Sequence, residues 1–302
     1  MGPVSTVSGS VDAETSGPVE AVIDVGVGSI EVVASEALRV RGEVTPTGAA
    51  RAGDVALARD ASAVFRNGVL RIAVPRRMNL FGRTDSVDVR VEVPSGSSLR
   101  IDSAYGSVRL RGTFGTARVA AKYGAVTIDR VADLHLTAPY GEVEVGRVDG
   151  RLDLDAGHGH ARIDRIEGPS RIRASHGTVE LGTASGPVEA SLAGTLTIDR
   201  ALTDVTARSA YGRIRVREVT SGVIRLENGY ADVEVGIPAG LAAWVDATSA
   251  HGSVRSELGA AGDVAPDTAA GSVQLHLATN WADVVLRRAP AIASRPLAEG
   301  AS

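Results

Sequence analysis

Apolar residues occupy every second position through most of this chain, and the alternation restarts at short, nearly fixed intervals. The restart carries a mark: an aromatic residue or His, then Gly, then apolar residues three and five positions on. It reads Tyr105-Gly-Ser-Val-Arg-Leu, Tyr123-Gly-Ala-Val-Thr-Ile, Tyr140-Gly-Glu-Val-Glu-Val, His158-Gly-His-Ala-Arg-Ile and His176-Gly-Thr-Val-Glu-Leu, at spacings of 18, 17, 18 and 18 residues. Tyr211, Tyr230, His251 and Trp281 open later phrases, while Ala193 and Ala270 stand where a ring is expected. Period-two alternation predicts strands with one lined face. A short fixed period predicts that the strands stack on one another, each repeat burying its face against the next. The expectation is an all-β, single-stranded parallel β-helix (a β-solenoid) of about ten coils of 17–19 residues.

The pattern also divides the chain. Residues 1–18 lack periodicity and read as a flexible leader. Residues 19–94 read as a strand-rich N-terminal cap, with strands around Val19–Val25, Gly28–Val33 and Leu38–Val44. Within the cap, Val64 to Val74 predicts a hairpin, because Asn67-Gly68 tolerates the positive φ values of a type I′ turn. Val87-Asp-Val-Arg-Val-Glu-Val, closed by Pro94, leads into repeats over residues 95–289, and 290–302 read as a disordered tail. Ile128-Asp-Arg, Ile163-Asp-Arg and Ile198-Asp-Arg recur every 35 residues, with Gly146 and Gly182 at the intervening corners, so two coils form the duplicated unit. Past Tyr230 the spacing loosens, which reads as a C-terminal cap.

Composition narrows the chemistry. Only 3% of the 302 residues are Phe, Trp or Tyr, whereas Gly reaches 35 residues, which suits a thin core of small aliphatics with glycine corners. Net charge is −4 and Lys122 is the sole lysine, which disfavours nucleic acid as a partner. Cysteine is absent, excluding disulfides, zinc–thiolate centres and a thiol nucleophile. No stretch has the ~20 apolar residues of a membrane span. The N-terminus has no signal-peptide pattern. The resulting expectation is a cytoplasmic protein, or a surface or secreted one if a leader has been removed.

Four groups of residues are candidates for function. The column Tyr105, Tyr123, Tyr140, His158, His176, Tyr211, Tyr230 and His251 could form an aromatic ladder that stacks on sugars or planar ligands; the same rings could equally pack on each other and cover the adjacent glycines. His158, His160 and His176 lie within reach of a common metal, but His158 and His176 are already explained as members of the column, so no metal site or cofactor is assigned. Asp129, Asp164 and Asp199 with Arg130, Arg165 and Arg200 could serve a polysaccharide-active site, yet they obey the repeat and read more simply as exposed ion pairs. The irregular stretch Arg76, Arg77, Phe81 and Arg83 in the cap reads either as a partner contact or as a loop folded on the first coil.

With these phrases in hand, the chain resembles the bacterial putative-adhesin family, a β-strand-repeat domain of unknown function. The likeness runs from about Val19 to Ala289. It is carried by Gly28-Ser-Ile-Glu-Val-Val, by Asn79-Leu-Phe-Gly followed by Val87-Asp-Val-Arg-Val-Glu-Val-Pro, by the [Tyr/His]-Gly-x-Val-x-[Leu/Ile] phrases and by Trp281-Ala-Asp-Val-Val-Leu-Arg-Arg-Ala. The resemblance implies a right-handed parallel β-helix and brings no catalytic residues. The functional expectation is a non-enzymatic scaffold or binding protein, monomeric or dimeric, for a protein or glycan partner. A polysaccharide-active enzyme and a self-assembling structural solenoid are the alternatives.

Overall fold

The computed structural model describes residues 9–76, 84–258 and 272–289. It is an all-β architecture: 21 strands join one sheet of mixed parallel and antiparallel pairs, with a single helix, Ala52–Asp60, among the described residues. From Ser98 onward the described pairings are parallel and in register, apart from a shift between Leu110 and Thr113. Leu154 faces Leu136 on one side and Ile172 on the other, and the same one-repeat offset holds from Leu99 to Val235. Register is fixed by the alternation itself, since a one-residue slip would turn every apolar side chain outward. Inward positions such as Val108, Leu134, Leu152, Leu196 and Ile214 are buried, and they form one continuous core with almost no aromatic content beyond Phe114.

Several strands run unbroken through the ring–glycine corner: Glu20–Ser35 at Gly28, Val126–Val148 at Gly141, Leu152–Ile166 at Gly159 and Ser170–Ala184 at Gly177. Glycine makes this possible. Gly28, Gly106, Gly124, Gly141, Gly159 and Gly177 each have φ between 132° and 148°, and they stack on one another. At Gly124 a Cβ would lie 1.8 Å from the carbonyl oxygen of Gly106. The backbone therefore bends without leaving the hydrogen-bond ladder, at a spacing no side chain permits.

A second kind of corner begins at Gly194. Neither Gly194 nor Gly212 has a positive φ, and the strands now break, as at Val188–Leu192 and Thr195–Ala201. The inward position just before the corner, held by Ser103, Ala121, Ala138, Ala156, Ala174 and Leu192 in turn, is polar in every described repeat from Ser209 onward. Ser209 donates to the Gly194 carbonyl (2.7 Å), Asn228 to Gly212 (2.7 Å), Thr279 to Ala231 (3.2 Å) and Ser249 to Ala282 (2.8 Å). Each side chain satisfies a corner carbonyl of the neighbouring repeat that the strand ladder leaves open.

Both ends depart from sequential order. At the C-terminal end, Ser272–Thr279 and Val284–Arg288 pair with Gly222–Asn228 and Val233–Ile237 on one side and with Ala242–Ser249 and Val254–Ser256 on the other. The last described repeat thus lies between the two that precede it, and Trp281 sits between Tyr230 and His251 rather than beyond them. The N-terminal end mirrors this. Glu20–Ser35 pairs with Val69–Ala73 and Val87–Pro94 on one side and with Ser98–Tyr105 and Val108–Tyr123 on the other. The hairpin Ser62–Arg66/Val69–Ala73 forms as expected around Asn67 (φ 50°) and Gly68 (φ 75°).

Two segments correct the expected cap. Ser10–Glu14, inside the stretch read as a leader, is a strand antiparallel to Arg39–Pro46, held by buried Val11 and by Asp12, which accepts from Arg39. The helix Ala52–Asp60 was not anticipated. It is fastened by fully buried Asp54, which accepts from the Gly48 and Ser86 backbone and from Arg51.

Replacing Gly124 by Ala should therefore cost about 3–5 kcal/mol, because both the φ and the close approach oppose it. Gly68→Ala, with open space around it, should cost about 1–2 kcal/mol. Urea unfolding of the two variants checks this; equal losses would show that φ alone, not contact with the neighbouring corner, demands glycine.

Candidate functional site

The ring-bearing residue precedes the corner glycine, so in-register pairing of the glycines stacks the rings. Tyr105, Tyr123, Tyr140, His158 and His176 form one continuous column, with successive centroids 4.8, 4.9, 5.3 and 5.1 Å apart and planes within 12° of parallel. Tyr211 stacks on Tyr230 at 5.4 Å, and His251 on Trp281 at 4.0 Å. The column is interrupted at Ala193. Here the repeat is one residue shorter, so Gly194 stays over Gly177 while a methyl group occupies the ring position.

This geometry decides what the ladder can offer. Inside the five-ring run each face is covered by a neighbour, so solvent meets ring edges and the Tyr hydroxyls, not π faces. Among the described residues a face is left without a stacked ring at the break and at the ends of each run. Tyr211, beside the break, is the most exposed of the tyrosines at 65%, with Tyr230 at 60% and Tyr105 at 53% at the other run ends and Tyr123 and Tyr140 inside the run at 43% and 44%. His176 and Tyr211 stand two strand spacings apart, roughly 9.6 Å, which is the room a single ring takes between two others in this column.

The remaining candidates are dispersed. His160 Nε2 is 3.9 Å from Glu180, while His158 and His176 turn to their ring neighbours; among the described residues no three His, Asp or Glu side chains gather as a metal site. The recurrent Asp and Arg residues do not pair with each other. Asp129 accepts from the Gly112 backbone, Asp164 from Arg162 and Asp199 pairs with Arg217. Arg130 and Arg147 share Asp149, and Arg147 and Arg165 share Glu167. Gly146 and Gly182 alternate with these Asp residues for a backbone reason: a Cβ there would lie 2.6 and 2.3 Å from the Asp129 and Asp164 carbonyl oxygens. In the cap, Arg76 bridges Asp24 (2.9 Å) and Asp102 (3.2 Å); Arg77, Phe81 and Arg83 lie outside the described residues.

One feature was not anticipated. A surface cleft of about 640 Å³ opens on the outer face of the strands Ser98–Tyr105, Val108–Tyr123 and Val126–Val148, lined by Arg100, Arg118, His135 and Arg151 together with Asp102 and Asp153. The signal was present in the sequence as arginines at equivalent positions of two successive repeats, Arg100 and Arg118.

Charge pairing along the ladder sets an acid limit to stability. Asp149 is held below its ordinary value of 3.8 by the hydrogen bond from Arg130, reinforced by Arg147 against the opposing effect of burial. A carboxyl depressed by folding contributes stability that is complete above the unfolded value and is lost as pH falls through the folded one. Asp149→Asn should lower the thermal midpoint by about 1–2 °C at pH 7 and match the parent at a pH below the folded value. Calorimetry across that range checks this, and a difference that persists in acid would assign the loss to packing instead.

Among the described residues no helix is long and apolar enough to cross a membrane. No protein-family model and no curated protein matches the chain. Solved structures are found at low similarity. A putative cell adhesion protein from Clostridium sporogenes is 12% identical with a TM-score of 0.24, over 94% of this chain and 99% of that one. A putative adhesin from Bacteroides fragilis is 9% identical at 0.29, over 92% and 95%. A putative lipid binding protein from Parabacteroides distasonis is 12% identical at 0.29, over 93% and 94%. At these scores the likenesses decide neither fold nor function, which rest on the chain's own residues.

Proposed function

We propose that this protein is a non-enzymatic β-solenoid of the adhesin type, a rigid scaffold that presents side-chain columns as a binding surface. The solenoid reading is supported by parallel, in-register pairing at a one-repeat offset and by corner glycines that stack on each other. Its repeating unit runs from one ring–glycine pair to the next, with strands of the N-terminal cap and the final repeats closing the ends.

The observation that carries the binding reading is the broken ring column. A tyrosine with an open face costs the protein the stacking that its neighbours gain, and the break between His176 and Tyr211 accepts one ring at the spacing the column already uses. The site is therefore the break, not the length of the ladder. Its ligand class is a flat or ring-shaped group, such as an aromatic side chain or a sugar ring, held by the two faces. Tyr105, Tyr123, Tyr140, His158, Tyr230 and His251 stiffen the column and offer edges and hydroxyls around it.

Ala193→Tyr tests this directly. Completing the column should raise stability by about 0.5–1.5 kcal/mol and abolish binding to an array of glycans and aromatic peptides that the parent recognises. Tyr211→Ala should lose the same ligands while Tyr123→Ala keeps them. Retained binding in Ala193→Tyr, or equal loss in the two alanine variants, would sink the reading.

A further inference from the structure

Arg100 and Arg118 are direct partners across the parallel strands Ser98–Tyr105 and Val108–Tyr123, so their side chains leave the same outer face one strand spacing apart. Like charges placed opposite each other on a sheet are destabilising. Elsewhere the protein answers that cost. Arg171 meets Glu189 at 3.0 Å and Arg208 meets Glu227 at 2.9 Å on this same face, and Asp149 and Glu167 are interleaved where Arg130, Arg147 and Arg165 stack. Arg100 and Arg118 have no such answer. Among the described residues neither makes an ion pair or a side-chain hydrogen bond, and none is made by the Arg151 side chain beside them.

The carboxylates of the cleft are committed elsewhere. Asp102 is held by Arg76, Asp133 accepts the Arg151 backbone N–H at 2.8 Å, and Asp153 lies 3.3 Å from His135 Nδ1. The cleft thus holds three uncommitted guanidiniums, each a forked donor suited to carboxylate or sulfate, among acceptors that keep lone pairs for hydroxyl groups. Thr116 and Thr137 add further hydroxyls to the lining.

We propose that this cleft is a second binding site, for an acidic oligosaccharide: Arg100, Arg118 and Arg151 take its carboxylate or sulfate groups, and Asp133, Asp153 and the threonines take its hydroxyls. The three carboxylates argue against a dense polyphosphate, which they would repel, and a sugar chain with occasional anions answers both sets of groups. The proposal deepens the reading of the protein as a binding scaffold, but it stands on residues two to five repeats away from Ala193, roughly 10–24 Å along the stack.

The test is Arg118→Glu in the full chain. A carboxylate there restores alternation with Arg100, so the thermal midpoint should rise by about 1–3 °C while binding falls. The probes are oligogalacturonate and a sulfated heparin-derived oligosaccharide, measured by calorimetry at low salt beside a neutral oligosaccharide. The parent should bind one acidic probe and not the neutral one, and Arg118→Glu should weaken it at least tenfold, as should Arg100→Ser. No binding by the parent, or unchanged binding in a folded Arg118→Glu, overturns the proposal. Equal binding of single-stranded DNA or inorganic sulfate overturns the sugar assignment. Ala193→Tyr separates the two sites: it should leave acidic-sugar binding intact, and a loss there would place that ligand on the ring column instead.

Discussion

The close approach of backbone to backbone at the glycine corner is the constraint on which the first run of repeats depends. A hydrogen-bonded ladder that bends must bring successive bends into contact, and at the stack from Gly28 to Gly177 the contact leaves no room for a Cβ. Once those glycines are superposed, every other position in one repeat lies over its counterpart in the next. The inward rows become a core without large side chains, and the outward rows become columns of rings and charges. After Ala193 the approach remains as close at Gly194 and Gly212, but without a positive φ, and a side-chain hydrogen bond is added. Ser209, Asn228, Thr279 and Ser249 replace conformational freedom with a side-chain hydrogen bond to the neighbouring corner.

The ends follow from the cost of leaving strand edges open. A stacked sheet must terminate in strands with unpaired backbone groups, which fray and invite association. In this chain neither the first long strand nor the last described repeat occupies an end. Glu20–Ser35 and Ser272–Arg288 are each held on both sides, and the outermost parallel strands are contributed by segments flanked by covalent connections in both directions. Fraying from the C-terminal end must then begin in a tethered segment, whereas at the N-terminal end the outermost described strand is Ser10–Glu14, paired on one side only with Arg39–Pro46. The same arrangement lengthens the contacts that have to form, which slows folding.

Much of this was legible because period-two alternation and Asn-Gly chemistry are local. The strands, the Asn67-Gly68 hairpin and the membership of the ring column needed no tertiary information. What was not legible depended on choices between equivalent partners. Repeats that share one pattern are interchangeable as neighbours, so nothing local says that Trp281 lies between Tyr230 and His251. The helix Ala52–Asp60 has no capping side chain, and its anchor, Asp54, is defined by Gly48 and Ser86 from other segments. The switch of corner type was readable in principle. Ser209, Asn228, Ser249 and Thr279 follow one another in a row that is otherwise mostly Ala, and buried polar residues generally have partners; a lone polar residue there is not enough, since Ser103 stands in the same row with its hydroxyl unpaired.

Stacking treats unlike side chains differently, and that difference says where to look for function. Identical rings over one another gain from contact, so a column of tyrosines and histidines explains itself energetically, and its interruption at Ala193 does not. Identical charges over one another lose, so alternating Arg and Glu explains itself, and the unbroken pair Arg100–Arg118 does not. In each case the repeat supplies the lowest-energy choice as a built-in reference, and the departure is the position that forgoes stability. A protein built from one phrase thereby separates the residues that hold it together from those that face a partner: the former obey the column they stand in, and the latter break it.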